Sequence, residues 1–184
     1  MPNWCFNNIS IRHSDPAMLD RVVKAKEALL QEFIPMPQAL IEGTGDGWYG
    51  WAVSNWGTKW DFGFESIERV DPNTVTGSFD SAWSPPIQAY EKFCTMGFEI
   101  TAHYYEPGMN FCGTWTGHYE GDAETGDVFS YDEYFELGLC NSDTVREAIG
   151  EELDDMFGIS NYMAEWEEEN QEIDLDGGVS AINE

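Results

Sequence analysis

Basic residues are scarce in this sequence. Eight lysines and arginines stand against 35 acidic residues, which gives a formal net charge of −27. Residues 1–93 carry a net charge of −5, whereas residues 94–184 carry −22 and contain a single base, Arg146. Binding to nucleic-acid phosphates or to an anionic membrane surface depends on clustered Lys and Arg. The scarcity therefore excludes direct nucleic-acid and membrane partners and favours cations or basic proteins.

Long hydrophobic runs and paired cysteines are also missing. No run of 18 apolar residues predicts a transmembrane helix, and the start MPNWCFNNIS has neither the basic nor the apolar region of a secretory signal. Cys5, Cys94, Cys112 and Cys140 lie far apart and form no CxxC pair. In a reducing compartment such cysteines behave as small buried apolar residues. We therefore expect a cytoplasmic protein without disulfides.

Recognisable catalytic motifs are absent. There is no GxSxG nucleophile motif, no P-loop, and no HExxH or CxxC spacing for zinc. We expect neither a metal nor a cofactor, and the missing chemistry favours a non-enzymatic function. A small enzyme or ligand-binding domain with a Trp-lined pocket is the alternative.

Aromatic residues, by contrast, are abundant and clustered. The stretch WYGWAVSNWGTKWD, residues 48–61, contains four tryptophans. Trp48 and Trp51 lie three residues apart and Trp56 and Trp60 lie four apart, so each pair would share one face of a helix. Aromatic stripes at helical spacing are typical of a core, and a stacking platform for nucleic acid would need more cations than the stretch offers. The stretch predicts a core seam beneath a sheet.

Titratable residues near this stretch and on later strands define the alternative pocket. Lys59, beside Trp60 and Asp61, indicates a cation–π contact and an ion pair that fix a turn. Two histidines fall in extended segments and would form an acid–base or metal site if neighbouring strands brought them together. The alternative pocket consists of Trp48, Trp51, Lys59, His103, Glu106 and His118.

Hydrophobic periodicity predicts an α+β fold. Alternation predicts a strand over residues 3–12, and helical spacing predicts one continuous helix over residues 14–33 that ends before Pro35. The next predicted elements are strands over 64–70 and 74–83, a helix over 84–96 and a strand over 97–106. Strand, helix, strand, strand, helix, strand is the order of a split β-α-β, ferredoxin-like sandwich.

The pattern changes after Pro107. Residues 109–134 alternate aromatic and small residues, which predicts an added β-hairpin that extends the sheet. Residues 143–157 predict one amphipathic helix, and residues 160–169 predict another that frays after Glu169. We expect a ferredoxin-like α+β core over residues 1–117. Residues 118–184 form an acidic extension of hairpin and helices packed on the same domain.

Four segments of the sequence are distinctive: MPNWCFNNISIR, WYGWAVSNWGTKWD, FDSAWSPP and YYEPGMNFCGTW, with NWGTKWD and WSPP the specific motifs. They resemble the YubB-like family of plasmid and phage proteins. The resemblance spans about residues 1–117 and implies a ferredoxin-like domain, a mobile-element origin and a bacterial cytoplasm. It implies no catalytic residues, because the family carries no established activity. The acidic segment from about Tyr119 onward has no counterpart in the resemblance.

The acidic half contains the candidate interaction residues. On the predicted 143–157 helix, Glu147 and Glu151 lie four residues apart, or about 6 Å along the axis, and Asp154 and Asp155 follow one turn later. Such a row resembles the regular negative charge of a nucleic-acid backbone. Like charges at this spacing cost a few tenths of a kcal/mol per pair. The predicted partner-binding residues are Glu147, Glu151, Asp154, Asp155, Glu165, Glu167, Glu168 and Glu169.

These charges predict an acidic interaction protein of the DNA-mimic type. With the mobile-element resemblance, the natural partner is a basic host protein, such as a nucleic-acid-binding defence or restriction factor. Long-range attraction would speed association and make it sensitive to salt. The alternative is an acidic surface that serves solubility or high-salt adaptation alone. The sequence leaves the oligomeric state open.

Overall fold

A computed structural model describes residues 3–43, 45–121 and 126–176, with side chains as far as residue 170. The chain divides into two compact units. We call Met1–Tyr134 the N-terminal unit and Phe135–Glu184 the C-terminal unit.

The first strand and the start of the first helix follow the predicted pattern. β1, Trp4–His13, alternates between the two faces of a sheet and buries Cys5, Asn7, Ile9 and Ile11 on one of them. α1, Pro16–Lys24, begins where the Asp15 carboxylate accepts a hydrogen bond from the Ala17 N–H, with proline in the first turn. This is the usual chemistry of a helix N-terminus, and both predictions are confirmed.

The continuous helix predicted over residues 14–33 is wrong. α1 ends at Lys24, and a separate helix, α2, spans Leu29–Phe33. The reason lies about 30 residues away, because the Asp61 carboxylate accepts hydrogen bonds from the N–H groups of Leu30 at 2.9 Å and Gln31 at 2.7 Å. A side chain that caps these free N–H groups makes a new helix start favourable in the middle of the apolar pattern.

The aromatic stretch forms a helix. After the short α3, Gln38–Ile41, comes α4, Gly47–Trp56, which ends at Gly57. Gly57 has φ +82°, in the left-handed region that favours glycine. A Cβ on Gly57 would lie 2.1 Å from Gln88 Oε1 and 3.1 Å from the Ile87 nitrogen. A side chain here would be strained by the backbone conformation and would displace the end of the Gln88 side chain.

The remaining elements of the ferredoxin-like core are confirmed. β2 (Ser66–Asp71) and β3 (Thr74–Ala82) form a hairpin, α5 (Ile87–Thr95) crosses over, and β4 (Phe98–Glu106) returns beside β1. The sheet order β2-β3-β1-β4 is antiparallel at each of these neighbours. One face of the sheet packs against four helices, α1, α2, α4 and α5, and together they form a single hydrophobic core. The fold is therefore an α+β, ferredoxin-like sandwich.

The added hairpin is also confirmed. β5, Phe111–Glu120, pairs antiparallel with β4, and β6, Asp127–Glu136, lies beyond β5 at the edge of the six-stranded sheet. Residues 122–125, within the connection between them, lie outside the described residues.

The continuous helix predicted over residues 143–157 is wrong. α6, Val145–Ile149, stops at Gly150, and α7, Glu151–Phe157, starts again behind it. Gly150 has φ +86° and ψ 160°, a backbone conformation that breaks a helix. A third helix, α8, spans Ile159–Asp176 and so continues beyond Glu169, where the sequence predicted fraying.

Candidate functional site

The predicted acidic residues are distributed over three helices. Glu147 lies on α6, Glu151 on α7, and Glu165, Glu168 and Glu169 on α8, and all five are exposed. The break at Gly150 means that Glu147 and Glu151 do not belong to one regular helical row.

α8 provides the regular acidic face that the broken helix does not. Glu165, Glu168 and Glu169 are spaced i, i+3 and i+4, so they share one side of the helix. α8 has 18 residues, which corresponds to a length of about 27 Å at 1.5 Å per residue.

Asp154 has a structural position instead. Its side chain is 2% exposed, and its carboxylate accepts hydrogen bonds from Arg146 Nη1 at 2.7 Å, from the Ser160 N–H at 2.7 Å and from Ser160 Oγ at 2.9 Å. Burial alone would raise the pKa of Asp154, but the bonds from Ser160 and Arg146 outweigh burial and hold that pKa below its ordinary value. Asp154 therefore stabilises the C-terminal unit.

Three further predicted residues are also engaged within the C-terminal unit, and one of them is Glu151, whose carboxylate lies 3.9 Å from Arg146 Nη2. Asp155 lies 2.6 Å from Arg146 Nη1 but keeps 68% of its side chain exposed. Glu167 accepts hydrogen bonds from the N–H and the hydroxyl of Ser142, at 3.0 and 2.7 Å. The hydrogen bonds that Arg146 donates to Asp155 and Asp154 raise the pKa of Arg146 above its ordinary value. The single base of residues 94–184 is thus committed to internal carboxylates.

The predicted core seam is confirmed only in part. Trp56 is 4% exposed, and its indole N–H donates to the Ile34 carbonyl at 2.9 Å. Trp48 and Trp51 are half-buried against the core, with Trp51 edge-on to Trp56. Trp60 lies beyond the end of α4 and is 38% exposed.

The turn after α4 is held differently from the prediction. The Lys59 ammonium lies 4.4 Å from the Trp60 ring centroid and 5.0 Å from that of Trp83, which confirms the cation–π contact. Asp61 serves as the cap of α2 rather than as the partner of Lys59. Burial raises the pKa of the Asp61 carboxyl, in part offset by the N–H groups of Gln31, Leu30 and Phe62.

The titratable members of the alternative pocket are not brought together. His103 Nδ1 lies 2.9 Å from Thr114 Oγ1 across the β4–β5 pair. His118 lies four residues beyond Thr114 on β5, which corresponds to about 13 Å along the strand. Its ring contacts Glu120. Glu106 is fully buried and accepts hydrogen bonds from the N–H groups of Gly108 and Met109, so it holds the turn after β4.

A cleft that the sequence did not predict lies within the N-terminal unit. Its volume is about 480 Å³, and it lies between the C-terminal end of α4, the start of α5 and the β5–β6 hairpin. Four aromatic side chains line it: Trp83, Tyr104, Phe111 and Tyr134. Its polar lining comes from Ser84, Gln88 and Asp132.

Hydrogen bonds join the segments NWGTKWD and WSPP, which form one end of the cleft. The buried Thr58 hydroxyl donates to the Ala82 carbonyl and accepts from the Ala82 N–H, both at 3.1 Å. Ser84 Oγ donates to the Gly57 carbonyl at 2.9 Å. Trp83 is held between these contacts at φ +71°, which is unusual for a bulky residue. Backbone strain of this kind clusters at functional sites.

The polar end of the cleft centres on Asp132. The Tyr104 hydroxyl donates a hydrogen bond to Asp132 Oδ1 at 2.7 Å. Burial, together with the hydrogen bond and charge of Asp132, raises the pKa of Tyr104 well above its ordinary value. The tyrosine therefore stays protonated and holds the carboxylate in place.

The sequence did contain a signal for this cleft. The motif NWGTKWD supplies Gly57, WSPP supplies Trp83 and Ser84, and YYEPGMNFCGTW supplies Tyr104 and Phe111. Three segments of the family resemblance therefore meet at one place. Asp132 and Tyr134 come from β6, outside these segments, and nothing in the local pattern marks them.

Two features are absent from the part of the chain that the structure describes. Within residues 3–43, 45–121 and 126–176, no group of three or more His, Cys, Asp or Glu side chains could hold a metal ion. No helix in that same part of the chain has the length and apolar character needed to cross a membrane.

Comparisons with known proteins identify the fold family. No curated protein matches the sequence. Protein api92 from Yersinia pseudotuberculosis, a solved structure, is similar to this chain at 20% identity and a TM-score of 0.40. That match covers 55% of this chain and 39% of api92, about two fifths of its length. The family model described as the ferredoxin-like domain in Api92-like protein matches residues 59–176, more than half of the 184 residues. The chain therefore belongs to the family of ferredoxin-like domains in Api92-like proteins.

Proposed function

We propose that this protein is a non-enzymatic, acidic interaction protein whose C-terminal unit occupies the nucleic-acid-binding groove of a basic protein. This is the action of a DNA-mimic inhibitor. The observation that carries the proposal is the uncompensated charge of the C-terminal unit. Residues 135–184 contain 15 acidic residues and one base, Arg146, and that base is committed to Asp154 and Asp155.

Uncompensated carboxylates on a folded surface repel one another and attract an external cation. Glu165, Glu168 and Glu169 share one face of α8, where their charges reinforce each other at short range. A basic groove would relieve this repulsion and release counterions from both surfaces. It would also be attracted over a distance of about one Debye length, 8–10 Å at moderate salt.

The class of partner follows from the same chemistry. A groove that binds a nucleic-acid backbone presents Lys and Arg at regular spacing, which matches carboxylates on a helix face. The resemblance to plasmid and phage proteins supports a mobile-element origin, for which a host defence or restriction factor is the natural target. The pocket of Trp48, Trp51, Lys59, His103, Glu106 and His118 receives no comparable support, since its titratable members contact different partners.

Competition with DNA tests the proposal. The immobilised protein should capture a basic nucleic-acid-binding protein from a bacterial lysate at low salt, and double-stranded DNA should release it. Changing five exposed carboxylates of the C-terminal unit to amides should weaken the capture at least tenfold. The variant carries Glu147→Gln, Glu151→Gln, Glu165→Gln, Glu168→Gln and Glu169→Gln.

A matched control removes the same charge from the N-terminal unit. It changes five exposed carboxylates to amides: Glu42, Asp46, Glu65, Glu68 and Glu91. The control should retain the DNA-releasable partner. Equal capture by both variants, or a partner that DNA does not release, would contradict the proposal.

A further inference from the structure

We infer that the cleft lined by Trp83, Tyr104, Phe111, Tyr134 and Asp132 binds the guanidinium group of an arginine side chain of the partner. This inference rests on the proposed function for the carrier of the arginine, because it supposes a basic protein. The binding of the guanidinium itself is a property of the N-terminal unit and is measurable without that partner.

The aromatic lining favours a flat cation. Phe111 and Tyr134 have ring centroids 5.4 Å apart in a tilted arrangement, and Phe111 and Tyr104 have centroids 6.1 Å apart edge to face, so the three rings form one aromatic cluster in the lining. Trp83 already accepts the Lys59 ammonium at 5.0 Å from its ring centroid. Aromatic faces attract cations electrostatically, and a guanidinium plane also stacks on them.

The polar lining supplies hydrogen-bond acceptors. Asp132 is fixed by the Tyr104 hydroxyl at Oδ1, and a carboxylate accepts several hydrogen bonds, so it keeps capacity for a further donor. Gln88 offers an amide oxygen on the α5 side of the cleft. A guanidinium carries five N–H donors and no acceptor, which suits an arrangement of a carboxylate and an amide oxygen.

Anionic ligands are disfavoured at this site. Phosphate or carboxylate groups would face Asp132 in a protein with a net charge of −27. The start of α5 also lies at the cleft, but several of its N–H groups already donate within the first turn. Ile87 N–H donates to Pro85, and the N–H groups of Ala89 and Tyr90 donate to Pro86. The helix start therefore offers little to an anion.

The size of the cleft suits a side chain presented by a protein. A volume of about 480 Å³ falls within the range of small-ligand pockets, roughly 300–1,000 Å³. Buried arginines in aromatic pockets are frequent anchors of protein interfaces. The cleft would thus anchor one arginine side chain of a basic protein.

Titration with small probes tests the inference. N-acetyl-arginine-amide should shift the NMR signals of the Trp83 and Gln88 side chains in a saturable way. N-acetyl-citrulline-amide, which has nearly the same shape without the charge, should bind at least tenfold more weakly, and N-acetyl-lysine-amide should also bind more weakly. Equal binding of arginine and citrulline, stronger binding of a nucleoside, or no saturable shift with arginine would overturn the inference.

Two variants and a matched control connect the binding to the cleft. Asp132→Asn keeps an acceptor for the Tyr104 hydroxyl but removes the charge, and it should weaken arginine binding at least tenfold. Asp127→Asn makes the same change on the same strand outside the cleft and should alter binding less than twofold. Tyr134→Ala changes a side chain that is 51% exposed, so it should weaken arginine binding without unfolding the protein. This variant tests the cleft even if Asp132→Asn fails to fold. Equal affinities of Asp132→Asn and Asp127→Asn would contradict the inference.

The outcomes separate this inference from the proposed function. If the arginine probe does not bind but the protein still captures a partner that DNA releases, the guanidinium site is refuted and the proposed function stands. Saturable arginine binding with no salt-sensitive partner would remove the DNA-mimic proposal and leave the cleft as a guanidinium site.

Discussion

The two units carry almost the same charge in very different settings. Residues 1–134 have a net charge of −13 and residues 135–184 have −14, so the C-terminal unit carries its charge on 50 residues instead of 134. The N-terminal unit contains seven bases, and its ion pairs include Arg21–Glu32 and Arg69–Asp20. The C-terminal unit has Arg146 alone. Acidity is therefore more concentrated and less compensated in the C-terminal unit, with one base for 15 acidic residues, than in the N-terminal unit, with seven bases for 20.

The largest expected effect on stability comes from Asp154→Ala. The change leaves the Ser160 N–H and Arg146 without their buried acceptor, and it should lower the free energy of unfolding of the C-terminal unit by about 3 kcal/mol. Urea unfolding followed by NMR at the Trp166 indole signal measures this loss. Asp155→Ala removes the same charge from an exposed position and should change stability by less than about 0.5 kcal/mol. Similar losses in both variants would show that the buried carboxylate has no special role.

In the N-terminal unit, a substitution that leaves the charge unchanged should lower the free energy of unfolding. Thr58→Val keeps the shape of the side chain but removes both hydrogen bonds to Ala82 from a buried site. It should lower the free energy of unfolding by about 2 kcal/mol and should also weaken arginine binding, because NWGTKWD and WSPP are joined there. Thermal unfolding gives the first quantity and NMR titration the second. Thr76→Val, on a partly exposed strand position, is the control and should be nearly neutral.

Acidification should affect the C-terminal unit through Asp154. The pKa of this carboxyl is lowered in the folded state, so its stabilising contribution is complete above its ordinary pKa of about 3.9 and is lost as pH falls through the lower folded value. The stability advantage of the wild type over Asp154→Asn should therefore shrink over the range of pH below about 4. Urea midpoints of both proteins across that range measure the difference. A constant difference would contradict the prediction.

The smallest effect is expected at an exposed ion pair of the N-terminal unit. Arg12 and Glu99 approach to 3.6 Å, but each side chain is 61% exposed. Glu99→Gln should change the free energy of unfolding by less than about 0.5 kcal/mol, as determined by urea unfolding. A loss above about 1 kcal/mol would contradict the prediction, because it would show that an exposed ion pair of this unit contributes substantially to its stability.

The parts of the fold that local patterns determine were predictable. β1, α5 and the β5–β6 hairpin each depend on short-range alternation or capping, and the order of the elements led to the ferredoxin-like topology. The two broken helices were not predictable, for two different reasons. Asp61 starts α2 from about 30 residues away in the sequence, and an isolated glycine such as Gly150 is also tolerated inside many helices.

The polar side of the cleft was unpredictable for a related reason. Asp132 and Gln88 reach it from β6 and α5, and only the completed sheet brings them beside Trp83. The acidic surface was predicted as a charge distribution but not as geometry. Composition established its sign, whereas burial decided that Asp154 would be structural and that Glu165, Glu168 and Glu169 would remain exposed.

The salt dependence of partner binding tests the central claim most directly. The affinity of the captured partner should be measured between roughly 50 and 200 mM salt for the wild type and for the two five-amide variants. The slope of log affinity against log salt should fall clearly when the C-terminal carboxylates are neutralised and should stay near the wild-type slope when the N-terminal set is neutralised. Equal slopes for the two variants would contradict the account, because the acidity of the C-terminal unit would then contribute nothing specific to binding.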